Sequence, residues 1–301
     1  MSFIYISRIH IFFLIFLINC NLYSTPLVDT NWISKNLCKK DIKIIEVGKS
    51  FNSFKVEHIN CASYTNFYND GWRENLKGVS MSLPDPQKLA NIIEGLGVSV
   101  SDYVVLYPKK NDIFAMSEVT TIYFTFKYLG HTKISILDGG YPKFKKDHPL
   151  LVEEGEMVKN DKTRYAFTID SSILANEQNI KENIANKINI IDSREVDFFL
   201  GINKLPGFNN FGTIKNSINI PSMWNLENRG LKFNNIETLK KIHNVNKINQ
   251  KENNIYFCYA GLESSLNWFV SHELLKNDNA KLYEGSIFDW HSRNNSLFKK
   301  F

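Results

Sequence analysis

The chain has 301 residues, enough for two domains of ordinary size, and 43% of them are hydrophobic, which supports folded cores rather than disorder. The formal net charge is +5, but lysine and arginine are interleaved with asparagine and acidic residues. Because the positive charge is scattered, the sequence argues against a nucleic-acid-binding protein and indicates a solvated basic surface.

The first 25 residues differ from everything that follows them. Arg8 and His10 precede an apolar run over 11–18, and polar residues occupy 19–25. This layout predicts a secretory signal peptide over 1–25. We therefore expect a periplasmic or secreted protein that has no stable membrane span once the leader is cleaved.

Two alternatives for the N-terminus stay open. Ile4 and Tyr5 lengthen the apolar stretch, which would suit an uncleaved membrane anchor. Cys20 follows the apolar run and is a candidate for lipidation, although Asn19 is a poor match to the small residue that lipoprotein processing prefers.

Three cysteines, Cys38, Cys61 and Cys258, follow the leader. An odd number in an exported protein leaves at least one thiol unpaired within the chain. A Cys38–Cys61 disulfide is conceivable in an oxidising compartment, but sequence alone does not establish proximity. The sequence has neither a Cys-x-x-Cys nor a His-x-x-x-His pattern, so we expect no metal site and no cofactor.

From Leu27 onward, short apolar runs rich in β-branched residues alternate with segments of helical periodicity, which predicts an α/β fold. Near-continuous apolar runs are typical of strands buried in a parallel sheet. The predicted strands are 42–47, 103–107, 134–137, 188–191, 255–257 and 281–283.

Helices are predicted between these strands. Asp85-Pro86 is typical of an N-cap followed by proline at the first helical position, and it predicts a helix over 87–96. Two further helices are predicted over 117–129 and over 264–275, the second of which follows Cys258.

The order of elements in the first half of the chain recurs in the second half. The strand that ends at Tyr107 corresponds to the strand that ends at Cys258, and Asp138-Gly139 corresponds to Glu284-Gly285. The offsets are roughly constant at about 150 residues, which predicts a duplication. The loop after Tyr107 carries no cysteine, so one copy is expected to be active and the other inactive.

The segment 148–164 contains a proline, an acidic cluster and several lysines, with no sustained apolar period, and we interpret it as a linker. The predicted organisation is a leader over 1–25, a first α/β domain over 26–147, this linker, and a second α/β domain over 165–301.

Cys258 is the strongest candidate for chemistry, because a predicted strand ends there and a loop and helix follow. Ligands of open α/β sheets bind beyond the carboxyl ends of the strands. A cysteine in this place faces loop amides and the positive end of a helix, so we expect an accessible thiolate of lowered pKa. Gly261 provides the backbone freedom to wrap the loop around one sulfur. The alternative is a buried structural cysteine.

In this order and spacing, the motifs resemble the tandem rhodanese family of thiosulfate and 3-mercaptopyruvate sulfurtransferases. The resemblance runs from about residue 27 to residue 290 and implies two rhodanese-like domains, each a parallel sheet flanked by helices. The matching segments are 57–62, 136–141, 191–194, 212–221, the loop after Cys258, and 285–290.

The resemblance implies that Cys258 takes sulfur from a small anionic donor, becomes a persulfide, and passes the outer sulfur to a thiol or to cyanide. Arg194 matches the arginine that binds the donor, and a guanidinium suits sulfonate or carboxylate. The alternative for Arg194 is a structural ion pair with Glu195 or Asp197. The loop residues expected to bind substrate are Tyr259, Ala260, Gly261, Leu262, Glu263 and Ser264.

Two loop positions depart from the family pattern. Ala260 stands where thiosulfate enzymes carry lysine and mercaptopyruvate enzymes carry serine. Glu263 stands where a small polar residue is usual, and its carboxylate is expected to raise the pKa of the thiol and to repel anionic donors. A non-catalytic rhodanese-fold module, which binds a partner or carries sulfur, therefore remains an alternative. A cysteine phosphatase is disfavoured, since Ser264 replaces the arginine that such enzymes need.

Overall fold

The computed structural model describes residues 25–112, 114–157 and 163–301. The predicted leader, including Cys20, lies outside the described residues apart from Thr25, so the leader stays a prediction. Within the described ranges, no helix has both the length and the apolar character needed to cross a membrane.

The first half of the chain forms a parallel sheet of five strands, with helices packed beside it. The strands of this half, five of which form the sheet, are β1 (Leu27–Val28), β2 (Ile42–Val47), β3 (His58–Ile59), β4 (Ser63–Thr65), β5 (Glu74–Leu76), β6 (Val79–Ser82), β7 (Tyr103–Pro108), β8 (Ile134–Leu137) and β9 (Val152–Glu153). The helices are α1 (Thr30–Asn36), α2 (Phe51–Val56), α3 (Pro86–Gly95), α4 (Ala115–Tyr128) and α5 (Gly140–Asp147). The strand order in the sheet is β1-β8-β7-β2-β4.

The second half repeats this architecture. Its strands are β10 (Leu174–Ala175), β11 (Ile190–Asp192), β12 (Ile218–Asn219), β13 (Ile255–Phe257) and β14 (Lys281–Tyr283). Its helices are α6 (Glu177–Asn186), α7 (Val196–Leu200), α8 (Ile236–Val245), α9 (Leu262–Phe269) and α10 (Ser286–Ser292). The strand order is β10-β14-β13-β11-β12, and every neighbouring pair is parallel.

The two five-stranded sheets have the same order of equivalent strands, which confirms the predicted α/β class and the duplication. The register of the sheets corrects one detail. The offset of 146 residues that relates Asp138 to Glu284 also relates Glu46 to Asp192. Glu46 lies opposite Tyr107 in the first sheet, whereas Asp192 lies opposite Phe257 in the second. Pro108, rather than Tyr107, is therefore the equivalent of Cys258, and the first copy still offers no thiol. The domain boundaries themselves stay predictions.

Most of the predicted elements are present, and the differences lie at their ends. The Asp85 side chain accepts a hydrogen bond from the Gln87 amide at 2.9 Å, which confirms the predicted N-cap of α3. The helix predicted over 264–275 begins earlier, and after α9 it continues as a π-helical turn over Val270–Leu274.

Part of the predicted linker packs on the first domain. Strand β9 pairs with β3 in an antiparallel arrangement, and Glu153 accepts a hydrogen bond from the Cys61 amide at 2.6 Å. Cys61 is joined to Cys38 by a disulfide with a Cα to Cα distance of 5.3 Å. Among the described cysteines this leaves Cys258 as the free thiol.

Helices α4 and α9 join the two halves of the molecule. Tyr123 meets Phe269 edge to face at a centroid distance of 4.9 Å, and the Thr121 and Ser265 hydroxyl oxygens lie 2.8 Å apart. A buried ion pair with a 2.7 Å separation joins Arg73 to Glu284 across the same interface. Because α9 begins just after Cys258, the candidate loop lies close to this junction.

Candidate active site

The backbone of Cys258 is fixed between the end of β13 and the start of α10. Its amide donates a hydrogen bond to the Ser286 hydroxyl at 3.0 Å, and its carbonyl accepts one from the Ile287 amide at 3.2 Å. The chain then turns at Gly261, whose φ is +82°. A Cβ atom there would lie 2.8 Å from the Glu284 carbonyl oxygen, so this turn requires glycine both for conformation and for space.

Hydrogen-bond donors from Ala260 and Ser264 act on the sulfur of Cys258. The Ser264 hydroxyl donates to Sγ at 3.4 Å, and the amides of Ala260 and Ser264 also act on the thiol as hydrogen-bond partners. Thus the loop and the first turn of α9 each direct hydrogen-bond donors to one sulfur, as the sequence predicts. This arrangement stabilises negative charge on that atom.

Burial opposes these donors. Cys258 is only 1% exposed, and desolvation raises the pKa of its thiol, with a further contribution from the charge of Glu263. The hydrogen bonds from Ser264 and Ala260 lower the pKa but do not offset the burial. The expected lowering of the thiol pKa and the expected accessibility of the thiol are therefore wrong, because the structure holds the sulfur as a buried thiol.

The Glu263 carboxyl has an unusually high pKa. Burial and the neighbouring charge of Asp192 raise the pKa of its carboxyl to about 8, while Arg194 acts in the opposite direction. At neutral pH the side chain is therefore mostly uncharged. Both predicted effects, the raised pKa of the thiol and the repulsion of anionic donors, come from the negative charge of Glu263 and therefore develop only as its carboxyl ionises.

Arg194 lies beneath the loop in a buried ion pair. Its Nη2 donates to Asp192 Oδ2 at 2.6 Å and to the Gly212 carbonyl at 2.8 Å, and its Cζ lies 4.5 Å from the centroid of the Tyr259 ring. Burial would lower the pKa of Arg194, but the Asp192 charge and hydrogen bonds raise it above its ordinary value. The partner is thus Asp192, not Glu195 or Asp197, and donor binding by Arg194 stays a prediction.

Of the other predicted loop residues, Tyr259 and Leu262 pack in the hydrophobic cores, whereas Ala260 acts through its backbone. The Tyr259 hydroxyl accepts a hydrogen bond from the Leu205 amide at 3.1 Å, and its ring packs in the core of the second domain. Leu262 is half-buried and packs against the core that the two domains share, and Ala260 contributes its amide rather than its methyl group. Their roles in substrate binding stay predictions.

Sequence reasoning missed two groups that fix the site. Ser286 holds the Cys258 amide and is itself anchored by donating to the Tyr283 carbonyl at 2.7 Å. Asn219 bridges the carbonyls of Asp192 and Arg194 at 2.9 and 2.8 Å. The Glu-Gly-Ser motif at 284–286, already visible as one end of the repeat, was the available signal for Ser286.

Replacing Glu263 with glutamine is expected to increase turnover with an anionic donor in alkaline solution only. Below about pH 7 the wild-type carboxyl is mostly protonated, so the two proteins should match. Above about pH 8 the wild-type side chain ionises, which raises the thiol pKa and repels the donor, and the variant should be faster by on the order of tenfold at pH 9. The pH dependence of kcat/KM with thiosulfate measures this.

The exposed Glu237 on α8 provides the matched control, since Glu237→Gln should leave the profile unchanged. A second measurement needs no turnover. The pKa of Glu263 is raised in the fold, so its contribution to stability is present below the unfolded pKa and is lost as the pH rises through about 8. Glu263→Gln should therefore unfold at higher urea concentration than wild type at alkaline pH. A variant slower than wild type at every pH would contradict this account.

The fold and the site together define a protein with two copies of one α/β architecture. The second copy carries a cysteine where a strand turns into a helix, and hydrogen-bond donors act on its sulfur. A model of the rhodanese-like domain matches residues 176–293. A protein of Mycolicibacterium smegmatis named "Putative thiosulfate sulfurtransferase" is 30% identical over 278 residues, which cover 89% of this chain and 95% of the relative. The chain belongs to the rhodanese sulfurtransferase family.

Solved structures share the fold at lower sequence identity. SseA from Escherichia coli, described as a 3-mercaptopyruvate sulfotransferase, superposes with a TM-score of 0.71 at 19% identity, covering 87% of this chain and 99% of SseA. EanB, in a persulfide state with ergothioneine, superposes with a TM-score of 0.78 at 16% identity, covering 91% of this chain and 71% of EanB. These similarities extend over both halves of the chain and confirm the two-sheet architecture.

Proposed function

We propose that the protein transfers sulfane sulfur from a small anionic donor to a thiophilic acceptor through a persulfide on Cys258. The observation that carries this proposal is the set of hydrogen-bond donors that act on Sγ, which are the Ser264 hydroxyl and the Ala260 and Ser264 amides. These groups stabilise a sulfur anion more than a thiol, so they favour both the attacking thiolate and the persulfide anion that follows.

The chemistry balances in two steps. With thiosulfate, the Cys258 thiolate attacks the outer sulfur, a sulfur–sulfur bond forms on the enzyme, and sulfite leaves with the electron pair of the broken bond. With 3-mercaptopyruvate, the carbon–sulfur bond breaks and pyruvate is released after protonation of its enolate. In the second step cyanide or a thiolate attacks the outer sulfur of the persulfide, which restores the Cys258 thiolate and gives thiocyanate or a new persulfide.

The test is a mass measurement on the full chain. After incubation with thiosulfate or with 3-mercaptopyruvate and removal of the excess donor, the peptide that contains Cys258 is expected to gain about 32 Da, the mass of one sulfur atom. Addition of cyanide should remove that mass and release thiocyanate. If neither donor adds mass to this peptide, and if no other sulfane donor does so, the proposal fails.

A second candidate function is supported by the burial of the thiol. A sulfur that is 1% exposed, with a raised pKa, suits a module that carries or protects sulfur without rapid turnover. In that case the persulfide would form and persist in the presence of cyanide. Removal of the sulfur by cyanide over repeated cycles distinguishes the enzyme from the carrier.

We also propose that the protein is exported. The pairing of Cys38 with Cys61 supports an oxidising compartment, as does the layout of residues 1–25. The N-terminal sequence of the mature protein, read from the same mass spectra, tests this directly.

A further inference from the structure

The domain without the catalytic cysteine has a cavity of about 160 Å³ at the carboxyl ends of β2 and β7. Equivalent strands of the second sheet lead to the Cys258 loop, so the cavity lies where the first domain would carry an active site. Ser50 and Ser53 line it together with six charged residues, which are Glu46, Lys49, Lys109, Lys110, Asp112 and Glu118. Such edges of parallel sheets are where small ligands bind.

Glu46 is the unusual member of this lining. Its side chain is 0% exposed, and its Oε2 accepts a hydrogen bond from the Tyr107 hydroxyl at 3.0 Å and lies 3.6 Å from Lys109 Nζ. Its other oxygen, Oε1, has no hydrogen-bond partner among the described residues. A buried carboxyl oxygen without a partner costs free energy, so this atom calls for a donor that the protein does not supply.

The three lysines of the lining differ in the number of partners that they already have within the protein. Lys49 pairs with Asp112 at 3.1 Å and with Glu118 at 3.4 Å, and Lys109 Nζ donates to the Glu57 carbonyl and lies over the Tyr141 ring. Lys110 is exposed and forms no ion pair with a described residue. Glu118 Oε1 also lacks a hydrogen-bond partner among the described residues, but its ion pair with Lys49 supplies a positive charge. Glu46 Oε1 is therefore the lining oxygen that neither a hydrogen bond nor an ion pair of the described residues satisfies, and Lys110 is the unpaired cation at the rim.

We propose that this cavity binds a small α-amino acid, with the ammonium group on Glu46 Oε1 and the carboxylate facing Lys110. The remaining charges of the lining balance one another, which favours a ligand without net charge. A simple anion would leave Oε1 without a hydrogen-bond donor. A simple cation would lie near the positive charge of Lys109 and would bring no negative group to face Lys110. The volume suits a molecule the size of glycine or alanine rather than a large metabolite.

The affinity is expected to rise with pH. Burial raises the pKa of Glu46 to about 7, against the opposing effects of Lys109 and Tyr107. The ammonium group binds the ionised carboxylate, so affinity for glycine increases as the pH rises through about 7. Tyr64, Tyr107 and Tyr141 also face Glu46, and the pKa of each is raised above its ordinary value, so they remain neutral over this interval.

Titration calorimetry on the full chain tests the proposal, with glycine and L-alanine as probes and with acetate and methylammonium as half-ligands. Both amino acids are expected to bind at millimolar concentration or below, and each half-ligand more weakly by about tenfold or more. Glu46→Gln, which retains an oxygen for the Tyr107 hydroxyl, should weaken glycine binding at least about tenfold, and Lys110→Gln about threefold. Lys40→Gln, an exposed lysine of the same domain, should change nothing.

Three results would overturn the proposal. The first is the absence of saturable amino-acid binding to the wild-type chain up to about 10 mM. The second is binding of acetate as tight as that of glycine, which would make the cavity a simple anion site. The third is an unchanged affinity in Glu46→Gln. If that variant does not fold, the half-ligand comparison and the exposed Lys110→Gln variant decide the question, because neither disturbs the buried residues.

Discussion

Replacing Cys258 with serine is expected to reduce cyanide-dependent thiocyanate release by at least about a thousandfold with any sulfane donor. An alkoxide is a far weaker nucleophile toward sulfur near neutral pH, and serine cannot carry a persulfide. The replacement should not disturb the fold, because Cys258 is small and the Ser264 hydroxyl and the Ala260 amide can donate to oxygen as they do to sulfur. Steady-state assays with thiosulfate and 3-mercaptopyruvate measure the loss.

The control for this prediction keeps the thiol and removes one donor. Ser264→Ala deletes the hydroxyl that donates to Sγ at 3.4 Å but leaves the two amides in place. It should slow turnover by about tenfold, well short of the loss caused by serine at position 258. If the Cys258→Ser protein instead retains wild-type turnover, sulfur is not carried on this residue, and the proposed function is wrong.

The strands and the position of the cysteine were predictable because both depend on local sequence. The runs at 42–47, 134–137, 255–257 and 281–283 are short and mainly apolar, and they form strands with the predicted bounds. The strand order of the sheets was not predictable from periodicity, because order depends on contacts between distant segments. The roughly constant offset between the two halves indicated the duplication, and the resemblance to a family supplied the expectation of two rhodanese-like domains.

The electrostatics of the site were not predictable, since they depend on burial. A helix N-terminus and loop amides are visible as a pattern in the sequence, and they indicated a lowered thiol pKa. The packing of α10 over Cys258 and the burial of Glu263 are not visible there, and burial reverses the sign. The one-residue error between Tyr107 and Pro108 has a similar origin, because pairing register follows from the neighbouring strands.

The ion pair of Arg194 and Asp192 is expected to hold the loop in place, and breaking it should destabilise the second domain by about 3–5 kcal/mol. Both side chains are almost wholly buried, and Asp192 Oδ2 also accepts a hydrogen bond from the Thr213 hydroxyl at 2.6 Å. Either Arg194→Met or Asp192→Leu leaves an uncompensated charge or unpaired polar groups. Urea unfolding of each single variant and of the double variant measures the cost.

The double variant separates a shared role from two independent ones. If the pair acts as a unit, the double replacement should cost less than the sum of the single replacements by at least about 1 kcal/mol, because no lone charge remains buried. Additive costs would show that the two residues stabilise the domain separately.

Kinetics of Arg194→Lys then test whether this residue also binds the donor. Lysine keeps the charge but cannot donate to Asp192 and the Gly212 carbonyl with the same forked geometry. A residue that only positions the Tyr259 loop should lower kcat and leave the KM for thiosulfate unchanged, since the bound donor never touches it. A raised KM with an intact kcat would show instead that the guanidinium meets the donor, so that one side chain both pairs with Asp192 in the resting site and binds the substrate.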